Sequence, residues 1–180
     1  MVALVGICGS MRKASLNRAL LVAVGEALPA SSTLELLDAL DLPIFNSDLE
    51  DPAKVIEIKR RIAAADGVVF AVPEYNYSIP GGLKNLLDHL SRPPALSPLR
   101  GKPIGIVGAA SGMSGTIRAQ THLRNILVYS DAPCLLQPEV TIPRAQDRFD
   151  ADGRLTDAST RTLLESFGAS LVAFVTRHHA

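Results

Sequence analysis

The run Val2-Ala3-Leu4-Val5-Gly6-Ile7-Cys8 is apolar throughout, with no polar side chain at alternate positions. A strand with one wet face alternates apolar and polar residues, so an unbroken apolar run is a strand covered on both faces. Residues 33–37, 67–72, 103–109 and 132–136 read as four further strands. Helical periodicity fills the gaps between them. Leu20, Leu21, Val24 and Leu28 share one face of a helix over 17–28 that Pro29 stops. A second helix covers 52–65, with proline in its first turn. A third opens at Ser78-Ile79-Pro80-Gly81-Gly82 and carries Leu83, Leu86, Leu87 and Leu90 on its apolar face, ending at Pro93-Pro94. Helices over 116–129 and 156–177 complete the pattern. Strict strand–helix alternation predicts an α/β fold: a parallel sheet joined by right-handed crossovers.

At 180 residues, with no linker, repeat or low-complexity tract, residues 1–180 are expected to form a single domain. The 18 basic and 18 acidic residues balance, which argues against nucleic-acid binding and against a strongly acidic electron carrier. No apolar stretch approaches the ~18–20 residues that cross a bilayer, and the first residues read as a core strand rather than a leader. Cys8 and Cys134 stand alone in apolar runs, as reduced and buried thiols would, so the expected compartment is the cytoplasm, with no membrane partner.

Two strand orders suit such a chain, the flavodoxin-like 2-1-3-4-5 and a truncated Rossmann order. Ligands bind beyond the carboxyl ends of the strands at the switch point, which in the first order lies between strands one and three. The loops meeting there, 9–17 and 73–78, are the two most unusual in the chain. Gly9-Ser10-Met11-Arg12-Lys13-Ala14-Ser15-Leu16-Asn17 joins a strand to a helix whose N-terminus offers unpaired N–H groups and partial positive charge. Ser10, Ser15 and Asn17 add hydrogen-bonding side chains and Arg12 a fixed cation, which together suit a phosphate. The P-loop consensus needs Gly-Lys-Ser/Thr, which is absent, and Gly6 and Gly9 do not meet Gly-x-Gly-x-x-Gly. A monophosphate site remains, suited to a mononucleotide such as FMN; a polar loop with a capping serine is the plainer reading.

The second loop, Pro73-Glu74-Tyr75-Asn76-Tyr77-Ser78, could read the edge of a planar heteroaromatic ring through its backbone and Asn76, with a tyrosine over part of its face. Glu74 has no partner in the sequence that marks it as an acid or base and reads as a hydrogen-bond acceptor. Ala109, Ala110 and Ser111 follow the fourth strand, small enough to let backbone approach a flat ligand, or simply a mobile loop. His89, His122 and His178-His179 lack metal-ligand spacing. In Asp150-Ala151-Asp152-Gly153 the flanking Arg148 and Ser159 occupy would-be calcium positions, so a turn is expected. Ser111-Gly112-Met113-Ser114-Gly115 only partly matches a nucleophile elbow and has no evident His and acid partners.

With these loops in view, the chain resembles the flavodoxin-like NAD(P)H-dependent FMN reductase family, and most of all its bacterial quinone and chromate reductase branch. The resemblance rests on 9–17, on the run from Pro73 to Asn85, on Asp88 with Ser91-Arg92, on Gly101-Lys102-Pro103, and on His122-Leu123-Arg124 with Ile126-Leu127. It implies a three-layer sandwich with a five-stranded parallel sheet in the order 2-1-3-4-5. It also implies FMN held at its phosphate by Ser10, Arg12, Ser15, Leu16 and Asn17. Pro73, Glu74, Tyr75 and Asn76 would line the ring and ribityl chain, and backbone at Ala109, Ala110 and Ser111 would close the other side. NADPH or NADH would deliver hydride, and a small-molecule electron acceptor such as a quinone would then take the same place in a ping-pong cycle. No side chain is needed as a catalytic acid or base. Relatives are dimers or tetramers, so a homodimer or homotetramer is expected, with a neighbouring chain walling the site. Three readings remain beside this one: a flavin reductase that releases reduced FMN to a monooxygenase, a non-enzymatic flavodoxin-type carrier, and a non-redox flavodoxin-like ligand sensor. Many relatives have a second glycine after Gly115, where this chain has Thr116, so the third loop departs from the pattern.

Overall fold

The computed structural model describes residues 1–179; Ala180, the last residue of the expected domain, lies outside them. Five strands, β1 Val2–Cys8, β2 Ser32–Leu37, β3 Gly67–Ala71, β4 Ile104–Ala109 and β5 Val140–Ile142, form one sheet. Its order is β2-β1-β3-β4-β5 and every pairing is parallel. The crossovers are α1 Leu16–Ala27, α2 Ala53–Ala64, α3 Gly81–Leu90 and α4 Ile117–Leu127, and α5 Ala158–His178 follows β5.

The side-chain alternation of β3 shows how the layers form. Val68 and Phe70 point to one face, where Ile62 of α2, Leu83 and Leu86 of α3, and Leu123 of α4 cover them. Val69 and Ala71 point to the other, against Leu20 and Val24 of α1 and Phe167 and Leu171 of α5. All four β3 side chains are fully buried. A strand packed on both faces needs no polar alternation, which is why β1, β3 and β4 are the apolar runs of the sequence.

Helix ends fall within two residues of the expected ones except in α3, which starts only at Gly81 and stops at Leu90, short of Pro93. Pro52 sits at the N-cap of α2 rather than inside its first turn. The expected fourth helix stops at Leu127 and tightens into a 3-10 turn over Val128–Ser130. The fifth strand is the real difference. Residues 132–136 contribute only one bridge, Cys134 to Ile104, and the chain returns to β4 four residues later as β5. Pro133 and Pro138 carry no N–H to donate to a ladder. Leu136 bulges into solvent between them, so the edge is made of two short contacts instead of one strand. None of the described helices is long and apolar enough to cross a membrane.

Candidate functional site

The carboxyl ends of β1 and β3 flank the switch point, and the loop 9–15 rises from the first of them. Gly9 N–H donates to Ala71 O at 2.8 Å, carrying the β1–β3 pairing one residue into the loop. Ser15 is the N-cap of α1, its Oγ accepting from Arg18 N at 3.3 Å. Ser10 Oγ accepts from Arg12 N at 3.3 Å. No acidic residue stands in the first turn of α1. Instead Arg12 and Lys13 precede α1 and Arg18 stands in its first turn, all exposed, and none forms an ion pair among the described residues. Cations beside a helix N-terminus are repelled by its partial positive charge. An anion seated between them relieves that repulsion, and the donor set matches a phosphate.

The second loop is a tight hairpin. Tyr75 and Ser78 exchange both backbone hydrogen bonds at 3.0 Å. Asn76 and Tyr77 between them have φ of 50° and 64°, the left-handed pair of a two-residue hairpin turn. Asparagine adopts this conformation readily; tyrosine does so under strain. The guanidinium of Arg118 lies over the Tyr77 ring at 4.3 Å, and Ser78 Oγ meets His122 Nδ1 at 3.0 Å, so α4 holds the hairpin in place. Tyr75 lines a cleft of about 300 Å3 with Gly9, Met11, Arg12, Leu40 and Gly82; Tyr77 faces α4 instead. Loop one and loop two therefore share one cleft, with a cationic end and an apolar end.

The pattern of the family described as NADPH-dependent FMN reductase matches residues 2–147. The chain belongs to that family. It is 45% identical over 175 residues to an NAD(P)H-dependent FMN reductase of Pseudomonas aeruginosa, covering 96% of this chain and 94% of that one. A quinone reductase of Escherichia coli is 39% identical, covering 94% and 92% of the two chains. Among solved structures, the flavoenzyme NAD(P)H:(acceptor) oxidoreductase FerB of Paracoccus denitrificans superposes with a TM-score of 0.91 at 33% identity, covering 99% of each chain. The residues fit the cofactor: Arg12, just before the α1 N-terminus, lines a cleft otherwise walled by glycine, leucine and tyrosine.

Several expected site residues have structural duties of their own. Asn17 is buried; its Nδ2 donates to Ala109 O at 2.8 Å and its Oδ1 accepts from Ala109 N at 2.9 Å. Its amide is thus turned to β4 rather than to a phosphate, and it locks the start of α1 to the end of β4. Glu74 is nearly buried and caps α4, accepting from Arg118 N at 3.0 Å and Ala119 N at 3.3 Å, with the Arg118 guanidinium at 3.4 Å. A carboxylate at a helix N-terminus is well placed electrostatically and poorly placed as a proton shuttle. In the third loop Ala109 is committed to Asn17, and Ala110 donates to Ile142 O and accepts from Ala145 N, each at 3.0 Å. Of the three expected ring contacts there, only exposed Ser111 keeps a backbone N–H without a partner among the described residues. Pro73 is buried at the base of the hairpin, and Leu16 opens α1.

The Thr116 departure also has a local cause. Thr116 is fully buried and accepts from Gln120 Nε2 at 3.1 Å, directly over Gly108. A Cβ at Gly108 would collide with the Thr116 hydroxyl, so the glycine in β4 makes room for the threonine. Arg18, outside the expected set, lines a cavity of about 380 Å3 with Cys8, Ser10 and Asp38. Its signal was a basic residue in the first turn of a helix with no acid to offset it.

Proposed function

We propose that residues 1–180 act as one FMN-dependent oxidoreductase domain that reduces quinones and similar flat oxidants at the expense of NADH or NADPH. One observation carries the reading: three exposed cations, without ion pairs among the described residues, flank the start of α1 at the switch point, one of them, Arg12, lining an apolar cleft. Ser10, Arg12, Ser15 and the backbone at Leu16 hold the phosphate, with Arg18 as a further cation. Pro73, Tyr75, Asn76 and Ser111 line the ring. FMN held there would supply the chemistry itself, hydride uptake from the nicotinamide and electron delivery to the acceptor. The protein's part is alignment. Tyr75, Leu40 and Met11 shape the apolar end, and Gly81 and Gly82 keep it low enough for a flat partner to lie against the ring. Glu74, tied to α4, takes no part in proton transfer.

The two flat substrates meet one cleft and must use it in turn. Initial rates measured over a grid of NADH or NADPH and benzoquinone concentrations should give parallel double-reciprocal lines. Intersecting lines would mean that both substrates bind together. The relatives named as NAD(P)H-dependent FMN reductase and quinone reductase support this enzyme over a carrier. The cytoplasm is the proposed compartment. A homodimer or homotetramer is proposed from the apolar exposure along α4 and beyond it, at Ile117, Val128 and Tyr129. Light scattering at the mass of a single 19.1 kDa chain would contradict it.

A further inference from the structure

Residues 38–52 run without helix or strand from the end of β2 to the start of α2. Segments of that length are either mobile or fixed for a purpose. This one begins at the site: Leu40 joins Met11 and Tyr75 in the cleft wall and is itself buried. It then crosses α3, where two side chains one helical turn apart grip a single carbonyl. Asn85 Nδ2 donates to Pro43 O at 2.9 Å, and His89 Nε2 lies 3.1 Å from the same oxygen. Asn85 Oδ1 accepts from Phe45 N at 2.8 Å, and the Phe45 ring packs edge-on against the His89 ring at 5.2 Å. The far end is pinned by Lys59, which donates to Asp51 Oδ2 and to Arg92 O, each at 2.5 Å.

His89 is buried, and its Nδ1 has no hydrogen-bond partner, with Asp51 Oδ1 at 3.5 Å. A buried leucine would pack α3 without leaving that nitrogen unpaired. The imidazole does what leucine cannot: with Asn85 it fixes the loop by hydrogen bonds at a defined register. We propose that Asn85 and His89 are positioning residues that set the 38–52 loop as the fixed wall of the cleft and hold Leu40 against the ring site. This rests on the cleft being the FMN site. Neither residue touches the cleft; both act through Pro43 and Phe45.

The test compares His89→Leu, His89→Gln and Asn85→Ala, the last a partly exposed position where alanine, a strong helix former, suits α3. FMN affinity is read by fluorescence quenching, ring seating by the visible circular dichroism of bound flavin, and loop order by hydrogen exchange of residues 38–52 without flavin. His89→Leu and Asn85→Ala should exchange faster in the loop and alter the visible dichroism; FMN should bind about tenfold more weakly to His89→Leu, the cost of its one hydrogen bond read as an affinity, and at least as weakly to Asn85→Ala, which loses two. His89→Gln keeps a donor for Pro43 and should restore most of the affinity and the dichroic band. Faster exchange with wild-type FMN affinity and dichroism would leave the pair merely structural and overturn the proposal. A Gln variant as impaired as the Leu variant would overturn its hydrogen-bond basis. Wild-type protein that fails to bind FMN would instead bring down the functional reading first, and this proposal with it.

Discussion

Replacing Asn17 with alanine should separate the site's two halves. Its amide satisfies both polar groups of Ala109, the last residue of β4, at 2.8 and 2.9 Å, across 92 residues of sequence. Both bonds are buried, and alanine leaves an N–H and a carbonyl unpaired there. Leaving a buried backbone group unsatisfied costs about 1–3 kcal/mol, so the pair costs about 2–6 kcal/mol. In a chain of this size each kcal/mol lowers Tm by about 2–4 °C, so the fall should be at least about 4 °C. Urea unfolding of the flavin-free protein measures the first quantity, and hydrogen exchange at the Ala109 amide localises it. The amide should be slow in wild type and fast in the variant. FMN affinity should fall too, because α1 loses its tie to the third loop. Stability within about 0.5 kcal/mol of wild type, the range of a neutral surface change, together with an unchanged Ala109 amide, would mean that Asn17 does not tie α1 to β4.

Two other substitutions test neighbouring claims. Glu74→Gln keeps an oxygen for the Arg118 and Ala119 amides but removes the charge at the α4 pole, so it should cost about 0.3–2 kcal/mol. Turnover at saturating FMN should be nearly unchanged; a loss of about a hundredfold or more would make Glu74 a proton-transfer residue. Asp157 caps α5, accepting from Ser159 Oγ at 2.6 Å, from Thr160 Oγ1 at 2.7 Å and N at 2.8 Å, and from the Arg148 guanidinium at 2.6 Å. Those bonds, the Ser159 one foremost, hold its carboxyl well below the usual carboxylate range. A carboxylate depressed in the folded state stabilises fully above its unfolded value near ~3.9 and loses that contribution as pH falls below it. The urea-midpoint gap between wild type and Asp157→Asn should therefore be full at neutral pH and shrink below pH ~4; a gap constant down to pH ~3 would contradict the cap.

The sheet was readable because β1, β3 and β4 are buried on both faces, which writes their position directly into composition. The edge was not. Val140–Ile142 is too short for a periodicity to register, while residues 132–136 are apolar enough to read as a strand although only Cys134 pairs. Topology then pointed to the candidate cleft, because two chemically unusual loops fell on either side of one switch point. The roles of individual residues were less accessible. Asn17 and Glu74 looked like ligands or acceptors in loops, and their partners, Ala109 and the α4 pole, stand 92 and 44 residues away. His89 likewise reads as a lone histidine on a helix until Pro43, 46 residues upstream, is brought against it. Local sequence carries chemistry; only the fold says what that chemistry is already spent on.

In the proposed function the α1 N-terminus and its cations receive the phosphate of FMN. Titrating wild type and Arg12→Ala with FMN and with riboflavin, which has the same ring and no phosphate, tests it most directly. Wild type should prefer FMN strongly. Loss of the arginine contact, worth about 1.5–3 kcal/mol, should weaken FMN binding about 10- to 150-fold. Riboflavin affinity should stay nearly the same in the two proteins. Equal wild-type affinity for both flavins, or an FMN preference untouched in Arg12→Ala, would contradict the claim.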